Sequence, residues 1–132
     1  MKKVLALTVM VFILSAMIMS STVMADFSVL ANPVFSEASV YLGSNMVADF
    51  DASTRLVCST IAVTSCKVQK NINGVWSDVV NLPLPESATD TDSYGASYDY
   101  SSKMPTGGSF RIKAVFSGGG ESLTRYSNAR NR

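Results

Sequence analysis

Between Cys66 and Val80 the chain reads Cys-Lys-Val-Gln-Lys-Asn-Ile-Asn-Gly-Val-Trp-Ser-Asp-Val-Val, and no other stretch restricts the fold so tightly. Asn73-Gly74 tolerates positive φ at both central positions of a turn, which suits the type I′ turn whose twist matches that of paired strands. The flanking runs are rich in Val and hold Trp76, so a β-hairpin is predicted. Cys66 and Val68 then share one face of its first strand, Trp76 comes just after the turn, and Lys67 and Gln69 point the other way. A lone hairpin is marginal in water, so this one must lie in a larger sheet packed against a second layer.

The first residues describe a different kind of segment. Met1-Lys2-Lys3 is followed by an almost unbroken apolar run from Val4 to Met19, and Val23 and Ala25 place small side chains where a signal peptidase needs them. This is the pattern of a secretory signal peptide. The alternative, a permanent membrane anchor, requires about 20 apolar residues, and the run is shorter. Removing 25 of the 132 residues leaves 107, enough for one domain. Residues 1–25 are therefore read as signal, 26–37 as an N-terminal arm and 38–132 as a single β-sandwich domain. The mature chain is expected as a monomer outside the cell or in its envelope, with no membrane span remaining. Lys2 and Lys3 leave with the signal, so nine of the 11 basic side chains face all 10 acidic ones. Without a basic surplus, nucleic acid and anionic membrane are disfavoured as main partners.

Both cysteines, Cys58 and Cys66, survive processing, and an even pair in an exported chain points to a disulfide. Thr54-Arg55-Leu56-Val57-Cys58-Ser59 alternates so that Leu56 and Cys58 share a face. With Thr60 to Ser65 as a short connection, Cys58 on one strand meets Cys66 on the next. The ring would contribute about 2.5 kcal/mol by chain-entropy reasoning. A zinc site or a catalytic thiol is the other possibility, but the chain has no His to complete either.

The remaining strands follow from alternation and turn residues. Ala38 to Leu42 reads as an edge strand, Met46 to Phe50 as a short strand after it, and Asp51-Ala52-Ser53 as a turn. Two prolines make Asn81 to Glu86 a connection. Tyr94, Ala96, Tyr98 and Tyr100 fall on one face of a strand, opposite Gly95, Ser97 and Asp99. Phe110, Ile112, Ala114 and Phe116 alternate with Arg111 and Lys113 in the cleanest strand. Gly118-Gly119-Gly120 then forms a flexible hairpin loop into a last strand carrying Leu123 and Tyr126. No helical period is sustained, and turns recur about every ten residues, as in an all-β sandwich or barrel.

Ser65-Cys66-Lys67-Val68-Gln69-Lys70 through Trp76, with Phe110-Arg111-Ile112-Lys113-Ala114 and Tyr126-Ser127-Asn128, resembles the third, fourth, sixth and seventh strands of a fibronectin type III or immunoglobulin-like module. The chain also resembles short, uncharacterised secreted proteins of Gram-positive bacteria that combine such strands with an Asn-Gly-x-Trp hairpin. The resemblance spans roughly residues 38–129 and implies a single antiparallel sandwich of about seven strands.

No chemistry of turnover stands out. The absence of His removes Ser-His-Asp and Cys-His catalysis, and no Gly-x-Ser-x-Gly elbow is present. Asp49/Asp51 and Asp90/Asp92 are carboxylate pairs of the kind a glycosidase uses, though Asp is ordinary at strand ends. Asp90 to Gly95 mimics the opening of a calcium loop, but Ser101 stands where the closing Glu belongs, and no metal or cofactor is expected. Trp76 with Tyr94, Tyr98 and Tyr100 reads first as core, and second as an aromatic platform. The expectation is a non-catalytic binding module for an extracellular protein or glycan. Its contacts come from loops at one end, Asn71, Asn73 and Gly74 with Gly118, Gly119, Gly120 and Glu121. A structural envelope component and a glycan-binding or glycan-active protein are the alternatives.

Overall fold

The structure is a computed structural model that describes residues 34–132; the signal segment and the arm as far as Pro33 lie outside the described residues. Seven strands follow: β1 (Phe35–Leu42), β2 (Val47–Ile72), β3 (Val75–Asn81), β4 (Ala88–Asp99), β5 (Ser109–Gly118), β6 (Glu121–Tyr126) and β7 (Arg130–Asn131). They form one antiparallel sheet, in agreement with the all-β expectation. Part of the expected arm, from Phe35 on, is already strand. Among the described residues no helix is long and apolar enough to cross a membrane.

The organising element is β2, which runs unbroken for 26 residues. One of its edges carries β1 and then β5, from Leu42 opposite Ala48 to Phe110 opposite Lys70. The other carries β4 and then β3, from Asp99 opposite Val47 to Val75 opposite Ile72. The expected turn at Asp51-Ala52-Ser53 and the expected connection from Thr60 to Ser65 therefore do not exist. Asp51 and Ser53 are the solvent side of a half-buried strand whose other side, Ala48, Phe50, Ala52 and Thr54, is buried. Polar residues read as turn formers were serving strand alternation instead.

Two irregularities bend β2. Thr54 to Val57 bulge out between the pairs Ser53–Ser93 and Cys58–Thr91, and Thr64 is an extra residue between Val63–Phe116 and Ser65–Val115. The second bulge switches which parity faces inward, so Ile61 and Val63 are buried, and so are Cys66 and Val68. The first pushes Leu56 into solvent, 78% exposed, where sequence alternation had placed it inside beside Cys58.

With this bend the sheet curls around its apolar side. Phe50 sits at the centre, edge-on to Tyr100 and to Phe116 with ring centroids 6.4 Å away in each case, and Tyr94 meets Phe116 at 6.3 Å. The Tyr100 hydroxyl donates to the Pro83 carbonyl at 2.7 Å and that of Tyr94 to Glu86 at 2.9 Å. These bonds satisfy carbonyls of the proline-containing connection, which has no ladder partner for them. On the far side of the curl, side chains of the last strands close the edge of β1. Arg125 Nε donates to the Ala38 carbonyl, Arg130 Nε to that of Leu42, and the Asn128 amide bonds both the N–H and the C=O of Leu42.

The expected disulfide is absent. Cys58 and Cys66 are both free and both buried, because they lie on the same strand. Eight residues of extended chain span about 26 Å, and a disulfide needs Cα atoms within about 7 Å; the bulges shorten the path without bringing the thiols together. Cys58 Sγ donates instead toward Leu56 O at 3.5 Å, and Cys66 lies beside Tyr94 and Tyr100. Thiol titration should therefore find two slow-reacting thiols in the folded protein and two fast ones after denaturation. Reducing agent should leave the melting temperature unchanged, and a fall of several degrees would restore the bond.

Candidate functional site

The outer surface of β3, the second half of β2, β5 and β6 holds a connected set of aromatic and charged groups. Strand alternation places it there: Val68, Phe110, Ile112 and Ala114 face the core, so Lys67, Gln69, Arg111 and Lys113 lie on the opposite side, where Gln69 is buried beneath its neighbours. On β3 a register shift leaves Val79 without a partner, since Val68 faces Val80 but Gln69 faces Asp78. Val80 thus turns toward the core while Trp76 and Asp78 stay outside. The assignment of Trp76 to the core is corrected accordingly. Phe110 and Ile112, expected beside it, are fully buried.

Arg111 is the centre of the group. Its guanidinium carbon lies 4.4 Å from the centroid of Trp76 and 4.3 Å from that of Tyr126, which approach from opposite sides of β5. Such stacking exploits the planar, weakly hydrated guanidinium. Arg111 Nε donates to Gln69 Oε1 at 2.9 Å, Gln69 Nε2 donates to Asp78 Oδ1 at 2.7 Å, and Lys67 Nζ is 3.2 Å from Asp78 Oδ2. The hydrogen bond from Gln69, followed by those of Lys67 and the charge of Lys113, holds the Asp78 carboxyl below its ordinary value. Lys67, Arg111 and Lys113 against the single carboxylate of Asp78 leave this face positive, although the formal net charge of the whole chain is only +1.

The residues expected to bind are distributed differently. Asn73 and Gly74 have φ of 53° and 86°, as the hairpin reading required, and Asn71 Oδ1 accepts the Gly74 N–H at 2.8 Å. Gly119 and Gly120 make a tight two-residue turn with φ of 55° and 82° in place of a flexible loop. Gly118 packs where a side chain would meet Phe35. Glu121 Oε2 accepts the N–H of Val34 at 2.9 Å, so its carboxylate holds the start of β1. The two loops do not share an end. Lys70 lies opposite Phe110 and Ile61 opposite Gly118, which puts the turns at opposite ends of the second half of β2, about 30 Å apart along the strand. They cannot meet one small ligand together, and only the Asn71 side borders Trp76, its cross-strand partner.

The aromatic platform of four rings does not form either. Tyr94, on the inner side of β4, and Tyr100, just after that strand, are buried, and Tyr98 stacks on Tyr100 at 4.5 Å, away from Trp76. Asp49 and Asp51 lie on the outer side of β2, where Asp49 accepts the Ser97 hydroxyl. Asp90 and Asp92 belong to β4; Asp90 takes a left-handed φ of 51°, and Thr91 and Ser93 pair with β2. Among the described residues no three acidic, Cys or His side chains converge as metal ligands would. Comparison with family models, with curated proteins and with solved structures returns no match.

Arg111, Gln69, Asp78 and Tyr126 were missed as site residues. Alternation had put Arg111 and Lys113 on the wet side, but their partners come from other strands and depend on a register that includes a bulge.

Proposed function

We propose that the chain is a secreted, non-catalytic recognition module of fibronectin type III or immunoglobulin-like sandwich type, and that it binds an anionic extracellular glycan on the Trp76–Arg111–Tyr126 face. The curled antiparallel sheet and its single core support the architecture, and the leader-like first 25 residues support export. The observation that carries the ligand class is the clamped guanidinium. Two rings and Gln69 already fix Arg111, so little side-chain freedom is lost when it meets a carboxylate. Tyr126 keeps 48% of its surface exposed, leaving apolar ring area for a sugar beside the cations.

The test is calorimetry of the mature chain with a carboxylated polysaccharide and with a neutral one of similar length. Binding is expected for the first only, falling as salt rises. Arg111→Ala should weaken it about tenfold or more, since hydrogen bonds to charged groups contribute about 1.5–3 kcal/mol. Arg111→Lys should recover part of the loss. Equal binding of both polymers would remove the proposal, and cleavage of either would return the Asp pairs to consideration as catalysts.

A further inference from the structure

A second surface, separate from the glycan-binding face, is an open strand edge. From Ser93 to Asp99, β4 pairs with Ser53 to Val47 residue for residue. The Tyr100 N–H donates to the Met46 carbonyl at 3.0 Å, and the bonds of an antiparallel ladder recur at every second residue. Tyr98, Ala96 and Tyr94 therefore direct their backbone groups to β2, and those of Gly95, Ser97 and Asp99 face away from it. No strand among the described residues lies beyond them. The opposite edge of the same half-sheet, β1, is closed by Arg125, Asn128 and Arg130. Of the other edge strands, β3 is short and interrupted at Val79, and β6 reaches β1 through Arg125. Natural edges are blocked by such devices or by Pro, Lys or charge; Ser93-Tyr94-Gly95-Ala96-Ser97-Tyr98 has none of them.

The surroundings of this edge have two distinct sides. A cleft of about 460 Å³ runs between Leu84 to Ala88 and Tyr94 to Tyr98, and Leu84 is 49% exposed beside it. A second cleft of about 490 Å³ shares Tyr94 and Gly95 with the first and reaches Asp51 and Glu37 on the outer side. That outer side is acidic: Glu37, Asp49, Asp51 and Asp99 stand on it, against Arg130, which lies over Tyr41 at the far, β1 edge, and the one salt bridge among the described residues lies elsewhere, at Lys67–Asp78.

We propose that β4 accepts an added strand from another protein, an extended segment whose residues alternate between apolar and basic. Its backbone pairs with Gly95, Ser97 and Asp99, as in other strand additions to an open edge. Its apolar side chains lie against Leu84, Ala96 and Tyr98, and its basic ones lie over Asp51 and Asp99. A second copy of this chain fits less well, because it would bring its own Asp49, Asp51 and Asp99 alongside the first set.

The experiment uses the mature chain and two end-capped eight-residue peptides, one alternating Val with Lys and one alternating Val with Glu, followed by amide chemical shifts and by titration. The Val/Lys peptide should bind at least tenfold more tightly than the Val/Glu peptide and shift the amides of Gly95, Ser97 and Asp99. Ser97→Pro removes an outward N–H while leaving the ladder to β2 intact, and should abolish this binding. If Ser97→Pro does not fold, Asp51→Lys serves instead, and should reverse the preference between the two peptides. Failure of the Val/Lys peptide to bind, equal binding of both peptides, or self-association through β4 in place of peptide uptake would each overturn the proposal.

Discussion

Phe50→Ala should cost about 3–5 kcal/mol of folding stability, the range for removing a buried aromatic ring from a packed core. Phe50 has no exposed surface and touches Tyr100, just after β4, and Phe116 of β5, both fully buried. A domain of this length has about 5–15 kcal/mol in total, so the variant should be mostly unfolded at 37 °C or melt many degrees lower. Phe110→Ala, also fully buried, belongs in the same range. Trp76→Ala should cost clearly less, because its ring lies outside the core and loses only the Arg111 stack and its partial burial. Denaturant midpoints of the three variants decide the matter. Equal losses for Phe50 and Trp76 would contradict the placement of Val79 as a bulge, which is what keeps Trp76 outside.

Stability should also collapse in alkali. Burial pushes the Cys66 thiol from 9.0 up to about 11, opposed in part by a hydrogen bond with Tyr100. Burial and the neighbouring Cys66 push the Tyr94 hydroxyl from 10.0 up to about 12, and the same two causes raise Tyr100 further. All three are neutral in the folded chain and ionise more readily when unfolded. Below pH 9 both states hold these protons and the stabilisation is complete. Above it the unfolded chain releases them first, so stability falls as pH rises through the folded values. Each group contributes a slope of about 1.4 kcal/mol per pH unit, giving about 3 kcal/mol for Cys66 alone. Urea midpoints measured from pH 7 to pH 11 should stay level and then drop steeply from pH 9. Cys66→Ala should flatten the part between pH 9 and 11, and a wild-type curve level to pH 11 would refute the buried cluster. At the other extreme, Asp78 contributes stability that is lost as pH falls through its lowered value, a small effect because the group is exposed.

Elements whose signal lies within a few neighbouring residues were legible. The Asn73-Gly74 turn was readable because positive φ at two adjacent positions is a demand of the local backbone. The β5 alternation was readable because its polar and apolar residues differ sharply. Tyr94 and Tyr100 were placed inside for the same reason. The reading failed along β2, where Asp51-Ala52-Ser53 has turn composition but the two neighbouring strands β1 and β4 supply its hydrogen bonds. It failed again at Trp76, whose side depends on one unpaired residue, Val79, in the register with β2.

By itself the sequence determined the β class, the hairpin at Asn73-Gly74 and the inward faces of β4 and β5, since period and turn chemistry act over a few residues. Only the tertiary structure decided that Cys58 and Cys66 share one strand, that the two glycine-bearing turns lie at opposite ends, and that Trp76, Arg111 and Tyr126 come together. Those outcomes depend on where β2 bends and which residue is left out of each ladder. Such choices are made by pairing between strands distant in sequence, as β1 and β4 compete with a turn for the backbone of Asp51 to Ser53.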